Sequence, residues 1–174
     1  MTDGNSSSRN IDEAAVALAS QVFDAARHGG VPQLREWLAQ GLPVNLRNQN
    51  GDTLLMLASY HGHLEAVRLL LEQGADPELL NDRGQSPLSG AAFKGNQPMV
   101  TLLLDAGADI NTAAPDGKTA LMFAAMFDHM DIVELLLAHG ADQTATESRG
   151  MTAGQLAFAM GALRTAERLG VSAS

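Results

Sequence analysis

A spacing of 33 residues recurs along this chain and constrains its fold more than any other feature. Two series of glycines carry the spacing: Gly51, Gly84, Gly117 and Gly150 in one, and Gly74, Gly107 and Gly140, each within a Gly-Ala-Asp motif, in the other. A fixed period shared by several positions is the mark of a repeat architecture. In such a fold, stacked copies of one short unit bury a continuous core that no single unit can bury alone.

Each unit carries the same motifs in the same order. In one copy, Ser86-Pro87-Leu88 follows the loop glycine, and Ala91-Ala92, the leucine run 102–104 and Gly107 come next. This order resembles the ankyrin-repeat family, and the resemblance covers roughly residues 22–169. It implies an all-α ankyrin-repeat solenoid of stacked helix-turn-helix units with hairpin-like loops, with about five repeats including two caps.

The spacing divides the chain into one domain with short ends. The predicted segments are a disordered tail at 1–10, a single ankyrin-repeat domain at 11–170 and a frayed C-terminus at 171–174. Within the domain we predict an N-cap repeat at 11–47, full repeats at 48–80, 81–113 and 114–146, and a C-cap repeat at 147–170. The tail is polar and cannot bury apolar surface, whereas Asn10 and Glu13 are typical of a helix start. The last repeat is more polar, as an end of the stack requires.

This chain departs from the family motif at two places. The histidine that follows Thr-Pro-Leu in the family is replaced in every unit: its positions hold Met56, Ser89, Met122 and Gln155. The two methionines are expected to fill that space with apolar contacts. Asp128 stands where the other units have a glycine after the first helix. Because aspartate adopts a left-handed conformation less easily than glycine, this turn is a candidate for strain.

Composition limits the classes of partner. The net charge is -9, with 20 acidic and 11 basic residues, which argues against nucleic acid and suits a basic protein partner. The absence of cysteine excludes disulfides and cysteine-based zinc sites. No apolar run reaches the length of a membrane span. Acidic residues near the N-terminus occupy the place where a signal peptide would be basic, so we predict a cytoplasmic protein. A bias toward arginine and alanine favours a bacterial source.

The histidines are the only candidates for metal chemistry. His28 and His61 occupy equivalent positions on adjacent units, but their spacing does not form a tight ligand set. The repeat accounts for the aspartates of the Gly-Ala-Asp motifs, which are expected to bond local backbone. We therefore expect no catalytic residues, metal or cofactor, and regard a metal- or small-molecule-binding enzyme as the least favoured alternative.

The resemblance implies that binding uses the loop tips and the ends of the first helices, on the concave side. Two columns of residues end these helices: Arg27, Tyr60, Phe93, Met126 and Ala159, and next to them His28, His61, Lys94, Phe127 and Met160. Three of the seven aromatic residues lie here, as in interface hot spots. The predicted partner-binding residues are Tyr60, His61, Phe93, Lys94, Met126 and Phe127, with Asp52, Arg83, Gln85 and Lys118 from the loops. The alternative is that the rings only pack against neighbouring repeats.

These observations predict a monomeric, non-enzymatic module that binds a partner protein through its concave groove and loop tips. An inhibitor or immunity protein that blocks a toxic or regulatory enzyme is the main alternative. Acidic loop tips facing a basic active site would favour that alternative. The sequence carries no motif that names the partner, because in repeat proteins specificity resides in scattered surface residues.

Overall fold

The computed structural model describes residues 4–172. Its helices are α1 (Gly4–His28), α2 (Val31–Ala39), α3 (Leu54–Tyr60), α4 (Leu64–Glu72), α5 (Pro87–Lys94), α6 (Gln97–Asp105), α7 (Ala120–Met126), α8 (Met130–Ala138), α9 (Ala153–Ala159) and α10 (Leu163–Arg168). They form five pairs, each with a first and a second helix, and no strand is present in this part of the chain. The predicted all-α solenoid of helix pairs is confirmed.

The first helices begin where hydroxyl side chains can cap them. Thr53 and Thr119 accept hydrogen bonds from the backbone N–H three residues on, as does Ser86. Such a cap stabilises a helix by about 1 kcal/mol. In α5 the hydroxyl of Ser89 also accepts the Ser86 N–H, which completes a capping box. One of the replacements for the family histidine therefore has a local role, and Gln155 has the same role in α9.

The core is built from two kinds of column. Alanines of the first helices are fully buried and allow those helices to approach closely; they are Ala58, Ala91, Ala124 and Ala157. Leucines of the second helices, Leu70, Leu103 and Leu136, are also fully buried, and each contributes about 1.5–3 kcal/mol of hydrophobic stabilisation. Met56 and Met122 are buried as well, so the predicted apolar replacement of the family histidine is confirmed. Trp37 packs against the core at the first repeat.

Both chain ends are more ordered than predicted. The first helix begins at Gly4 instead of Ile11, because extending an existing helix adds a hydrogen bond per residue without a new nucleation cost. At the other end, Val171 packs against the core and its N–H donates to the Ala166 carbonyl at 2.8 Å. The predicted tail over 1–3 and the predicted fraying over 173–174 lie outside the described residues.

Four loops precede the first helices α3, α5, α7 and α9, and we number them one to four (47–53, 80–86, 113–119 and 146–152). The Asp82 N–H donates to the Asn50 carbonyl at 3.0 Å and joins the first two loops. The Ser148 N–H donates to the Asp116 carbonyl at 2.8 Å and joins the last two. Between the second and third loops, Pro115 has no N–H to donate, and its ring lies against Gly84 instead.

The turn at Asp128 confirms the anticipated exception. Its φ is 56°, the only positive φ of a non-glycine residue within residues 4–172. Its carboxylate accepts a hydrogen bond from the buried Thr165 hydroxyl of α10 at 2.5 Å. The strained conformation therefore coincides with a contact that joins the fourth repeat to the C-terminal repeat.

Candidate functional site

The concave face, which we call the groove, is formed by the first helices α3, α5, α7 and α9 and the four loops. Tyr60, Phe93 and Phe127 line it and are 40, 36 and 42% exposed. Each ring thus packs in part on its neighbours and in part faces solvent. Rings that are already held but still exposed lose little side-chain freedom when a partner covers them.

Phe93 is the centre of an aromatic cluster in the groove. Its ring meets Phe127 edge-on at 4.7 Å between centroids, and Phe123 edge-on at 6.4 Å. The His129 ring stacks on Phe127, and its Nε2 lies 3.0 Å from the Phe93 carbonyl oxygen. Edge-to-face pairs of this kind contribute about 0.5–1.5 kcal/mol beyond their buried area, so the cluster holds Phe127 in place.

Tyr60 stands apart from this cluster, nearer the N-terminal end of the groove. The Lys94 ammonium lies 5.1 Å from the centre of the Tyr60 ring, a cation–π contact worth about 0.5–1 kcal/mol at an exposed site. The His61 ring meets the same tyrosine edge-on at 5.4 Å. These contacts fix the tyrosine ring at one wall of the space that separates it from Phe93.

A cavity of about 380 Å³ occupies that space. Tyr60, Phe93 and Phe123 line it, together with Ser89 and Gly90 of α5. Its volume is at the lower end of the range for ligand pockets in proteins, roughly 300–1,000 Å³. The groove therefore contains a defined depression rather than a flat aromatic surface.

His61 lines the cavity without adding a positive charge at neutral pH. Burial lowers the pKa of its imidazole, and the nearby positive charges of His63, Arg27, His28 and Lys94 lower it further. Since the ordinary value is 6.5, His61 is neutral at pH 7.

The loop residues predicted to bind a partner are mostly engaged within the protein. The Asp52 carboxylate accepts hydrogen bonds from the amides of Asn81, at 2.9 Å, and Asn48, at 3.2 Å. Gln85 also bonds to Asn81, and Lys118 pairs with Asp116, whose pKa is lowered chiefly by that bond. Arg83 differs, because its guanidinium has no hydrogen-bond or ion-pair partner among the described residues.

The acidic charge of the chain does not lie in the groove. The loops carry equal numbers of each sign: Asp52, Asp82, Asp116 and Glu147 against Arg47, Arg83, Lys118 and Arg149. The helices α3, α5, α7 and α9 contain a single charged residue, Lys94. The excess lies on the second helices and the turns that follow them, as Glu36, Glu65, Glu72, Asp76, Glu78, Asp105, Asp109, Asp131, Glu134, Asp142 and Glu167 against Arg35, Arg68, Arg164 and Arg168. The net charge therefore gives no support for a basic partner in the groove.

The structure brings most of the predicted binding residues together. Six of them line the cavity: Asp52, Tyr60, His61, Arg83, Gln85 and Phe93. Lys94 and Phe127 contact the rings of that lining, whereas Met126 packs against the core and Lys118 lies on the third loop. Phe123 lines the cavity but was not predicted from the sequence. Its column also holds Leu57, Gly90 and Leu156, and the two leucines make the column resemble a core position.

Residues 4–172 give no support for a metal site or for a membrane-spanning helix. These residues contain no group of three or more histidine, aspartate or glutamate side chains arranged to hold a metal. None of their helices combines the length and the apolarity needed to cross a membrane.

Comparison with known proteins agrees with the geometry. A family model of ankyrin repeats, in three copies, matches residues 22–114 and 111–170. The chain belongs to the ankyrin-repeat family. A curated ankyrin repeat protein of Pseudomonas aeruginosa is 52% identical over 50 residues, which make up 29% of this chain and 29% of that protein. The chain thus aligns with less than a third of this bacterial relative.

Proposed function

We propose that this ankyrin-repeat protein is a non-enzymatic module that binds a partner protein through its groove. The observation that carries the proposal is the set of rings at Tyr60, Phe93 and Phe127, exposed by 36–42% at the ends of helices that contain a single charged residue, Lys94. Aromatic residues at the centre of a patch depleted of charge are the usual energetic core of a protein interface.

The family supports the same class of function. Ankyrin repeats are generally protein–protein interaction modules and are typically not enzymes. A cytoplasmic location and a monomeric state stay predictions. The inhibitor alternative receives no specific support, because the loops carry as many basic as acidic residues and do not form the acidic surface that it requires.

The test is an affinity capture from lysate of the source cell with three forms of the full chain. These are the wild type, the triple variant Tyr60→Ala/Phe93→Ala/Phe127→Ala, and the control Phe158→Ala/Leu163→Ala. The control removes exposed apolar side chains, 40 and 59% exposed, from the C-terminal repeat. All three are first compared by thermal unfolding, because a ring that is mainly core loses about 3–5 kcal/mol of stability on truncation.

A partner captured by the wild type and the control, but not by the triple variant, is the expected result. Each ring that acts as a hot spot should contribute about 2 kcal/mol or more to binding. Equal capture by all three forms would place the binding surface elsewhere and refute the groove.

A further inference from the structure

The cavity in the groove arises from one pair of small residues. Ser89 and Gly90 of α5 occupy the positions that hold Met56 and Leu57 one repeat earlier, and Met122 and Phe123 one repeat later. The neighbouring repeats therefore fill these buried or half-buried positions with large side chains, and the central repeat holds only a serine and a glycine there. The 380 Å³ depression lies between the two filled repeats.

Local structure does not require a glycine at position 90. The residue lies inside a helix and is absent from the glycines with positive φ. A Cβ added there would first meet Cδ2 of Tyr60, at 3.6 Å, which is an ordinary contact. A glycine within a helix costs roughly 0.5–1 kcal/mol relative to alanine, so the empty space is maintained against helix stability.

The walls of the cavity are suited to an apolar ring. Three of the lining residues, Tyr60, Phe93 and Phe123, are aromatic. Each of the three serine hydroxyls in the lining already has a hydrogen-bond partner: Ser59 donates to the Met56 carbonyl at 3.0 Å, Ser89 donates to the Ser86 carbonyl at 2.9 Å, and Ser86 accepts from the Ser89 N–H at 3.1 Å. Because these hydroxyls need no further partner, they impose no polar requirement on an occupant. Aromatic walls instead favour an aromatic occupant in edge-to-face contact.

The side chains in and beside the cavity carry two positive charges, Arg83 and Lys94, against the one negative charge of Asp52, although the chain as a whole is acidic. Arg83 lines the cavity with a guanidinium that has no partner among the described residues. Lys94 lies over Tyr60 and has no ion pair in the described part of the chain. The one acidic residue of the lining, Asp52, is held by two asparagine amides. A free guanidinium is suited to a carboxylate, which it can bind through two parallel hydrogen bonds.

We propose that this cavity is a specificity pocket for one large aromatic side chain of the partner protein, carried on a segment with an aspartate or glutamate that pairs with Arg83. The inference rests on the proposed binding function of the groove and specifies the segment that the groove selects. It also reverses the partner charge that the net charge of the chain suggests: the docked segment is acidic.

The test uses a phage-displayed library of random dodecapeptides selected on the immobilised full chain. We expect selected peptides to combine an aromatic residue with a nearby acidic residue. Synthetic, fluorescein-labelled copies are then titrated by fluorescence polarisation against wild type, Gly90→Leu, Gly90→Ala and Arg83→Gln. Gly90→Leu restores the side chain of the preceding repeat and should weaken binding roughly 10-fold or more. Gly90→Ala fills only part of the volume and should weaken binding less than Gly90→Leu. Leu163→Ala, at an exposed residue of α10 outside the cavity lining, is titrated in parallel as the control with near wild-type affinity.

Arg83→Gln should weaken binding by roughly 3- to 10-fold, and the difference should shrink at about 0.5 M salt because surface charge pairs are screened. Thermal unfolding controls for folding, and Gly90→Leu should not lower the melting temperature because leucine favours helix. A selection that yields no aromatic–acidic pattern overturns the proposal. Peptides that bind Gly90→Leu with the same affinity as wild type also overturn it. If such peptides still fail to bind the triple alanine variant, the groove function stands and only the pocket fails; if they bind it equally, both fail.

Discussion

Asp128 allows a sharp test of how one residue can be strained and stabilising at the same time. Its backbone has a φ of 56°, a conformation that costs a residue with a Cβ roughly 1–2 kcal/mol. Its carboxylate also accepts the hydrogen bond from the buried Thr165 hydroxyl at 2.5 Å. The change Asp128→Gly removes both effects together, whereas Thr165→Val removes only the hydrogen bond and keeps the side-chain shape.

The two effects have opposite signs and can be separated. Glycine should recover about 1 kcal/mol of strain. Losing a hydrogen bond to a charged group costs about 2 kcal/mol, since the Thr165 hydroxyl is left buried without a partner. Asp128→Gly alone should therefore destabilise the protein by about 1 kcal/mol, or roughly 2–4 °C in melting temperature for a domain of this size. In a Thr165→Val background, the same change should stabilise the protein by about 1 kcal/mol.

The assay is urea unfolding of the four proteins of this double-mutant cycle, followed by circular dichroism. The fluorescence of Trp37, the single tryptophan, checks in parallel that the N-terminal repeat unfolds in the same transition. The expected coupling energy is about 2 kcal/mol, with a reversal of sign between the two backgrounds. If Asp128→Gly destabilises equally in both backgrounds, the hydrogen bond is not what offsets the strain, and the reasoning is wrong.

Two further predictions concern the surroundings of Gly84 and of the Glu147 carboxylate. Gly84→Ala should destabilise the protein by at least about 1 kcal/mol more than Gly107→Ala in urea unfolding. Both have positive φ, but an added Cβ at Gly84 would lie 1.9 Å from Cδ of Pro115, whereas at Gly107 it meets nothing within 4 Å; equal losses would contradict this. Burial raises the pKa of the Glu147 carboxyl, but hydrogen bonds from Met151 and Arg149 and the Arg149 charge outweigh it, so the net pKa lies below the ordinary 4.5. The unfolded carboxyl then takes up its proton at a higher pH than the folded one, so stability falls as pH drops below about 4.5. Glu147→Gln should make that fall shallower in unfolding measured between pH 7 and about pH 3.5, and an unchanged slope would exclude the carboxylate as a cause.

The architecture was predictable because it is encoded several times over. The first helices α3, α5, α7 and α9 each start with a hydroxyl cap, such as Thr53, and the units repeat the same buried alanines and leucines. A sequence pattern that recurs in every repeat stays recognisable even where single positions depart from it. The start of α1 at Gly4 was missed because polar residues in an extended helix carry no periodic apolar pattern.

The groove was only partly predictable, since its function depends on differences between repeats. Tyr60 and Phe93 were recognised as candidates because they stand in a variable column. The pocket was not predicted from the sequence. A glycine such as Gly90 indicates an open space only when it is compared with the large side chains at the equivalent positions one repeat before and after it. The net charge of -9 was misleading for a related reason. A total charge does not say which face carries it.

The missing N–H of Pro115 divides the four loops into two hydrogen-bonded pairs. Loops one and two are tied by the Asp82 N–H, and loops three and four by the Ser148 N–H. No hydrogen bond ties loop two to loop three within the described chain, where the proline ring only rests against Gly84. A van der Waals contact lacks the directionality of a hydrogen bond and permits sliding. The repeats that carry loops two and three are joined elsewhere, by His129 at the Phe93 carbonyl and by the Asp142 N–H at the Asn111 side chain. We therefore expect loops one and two to move together, and loops three and four to move together, when the loop layer deforms.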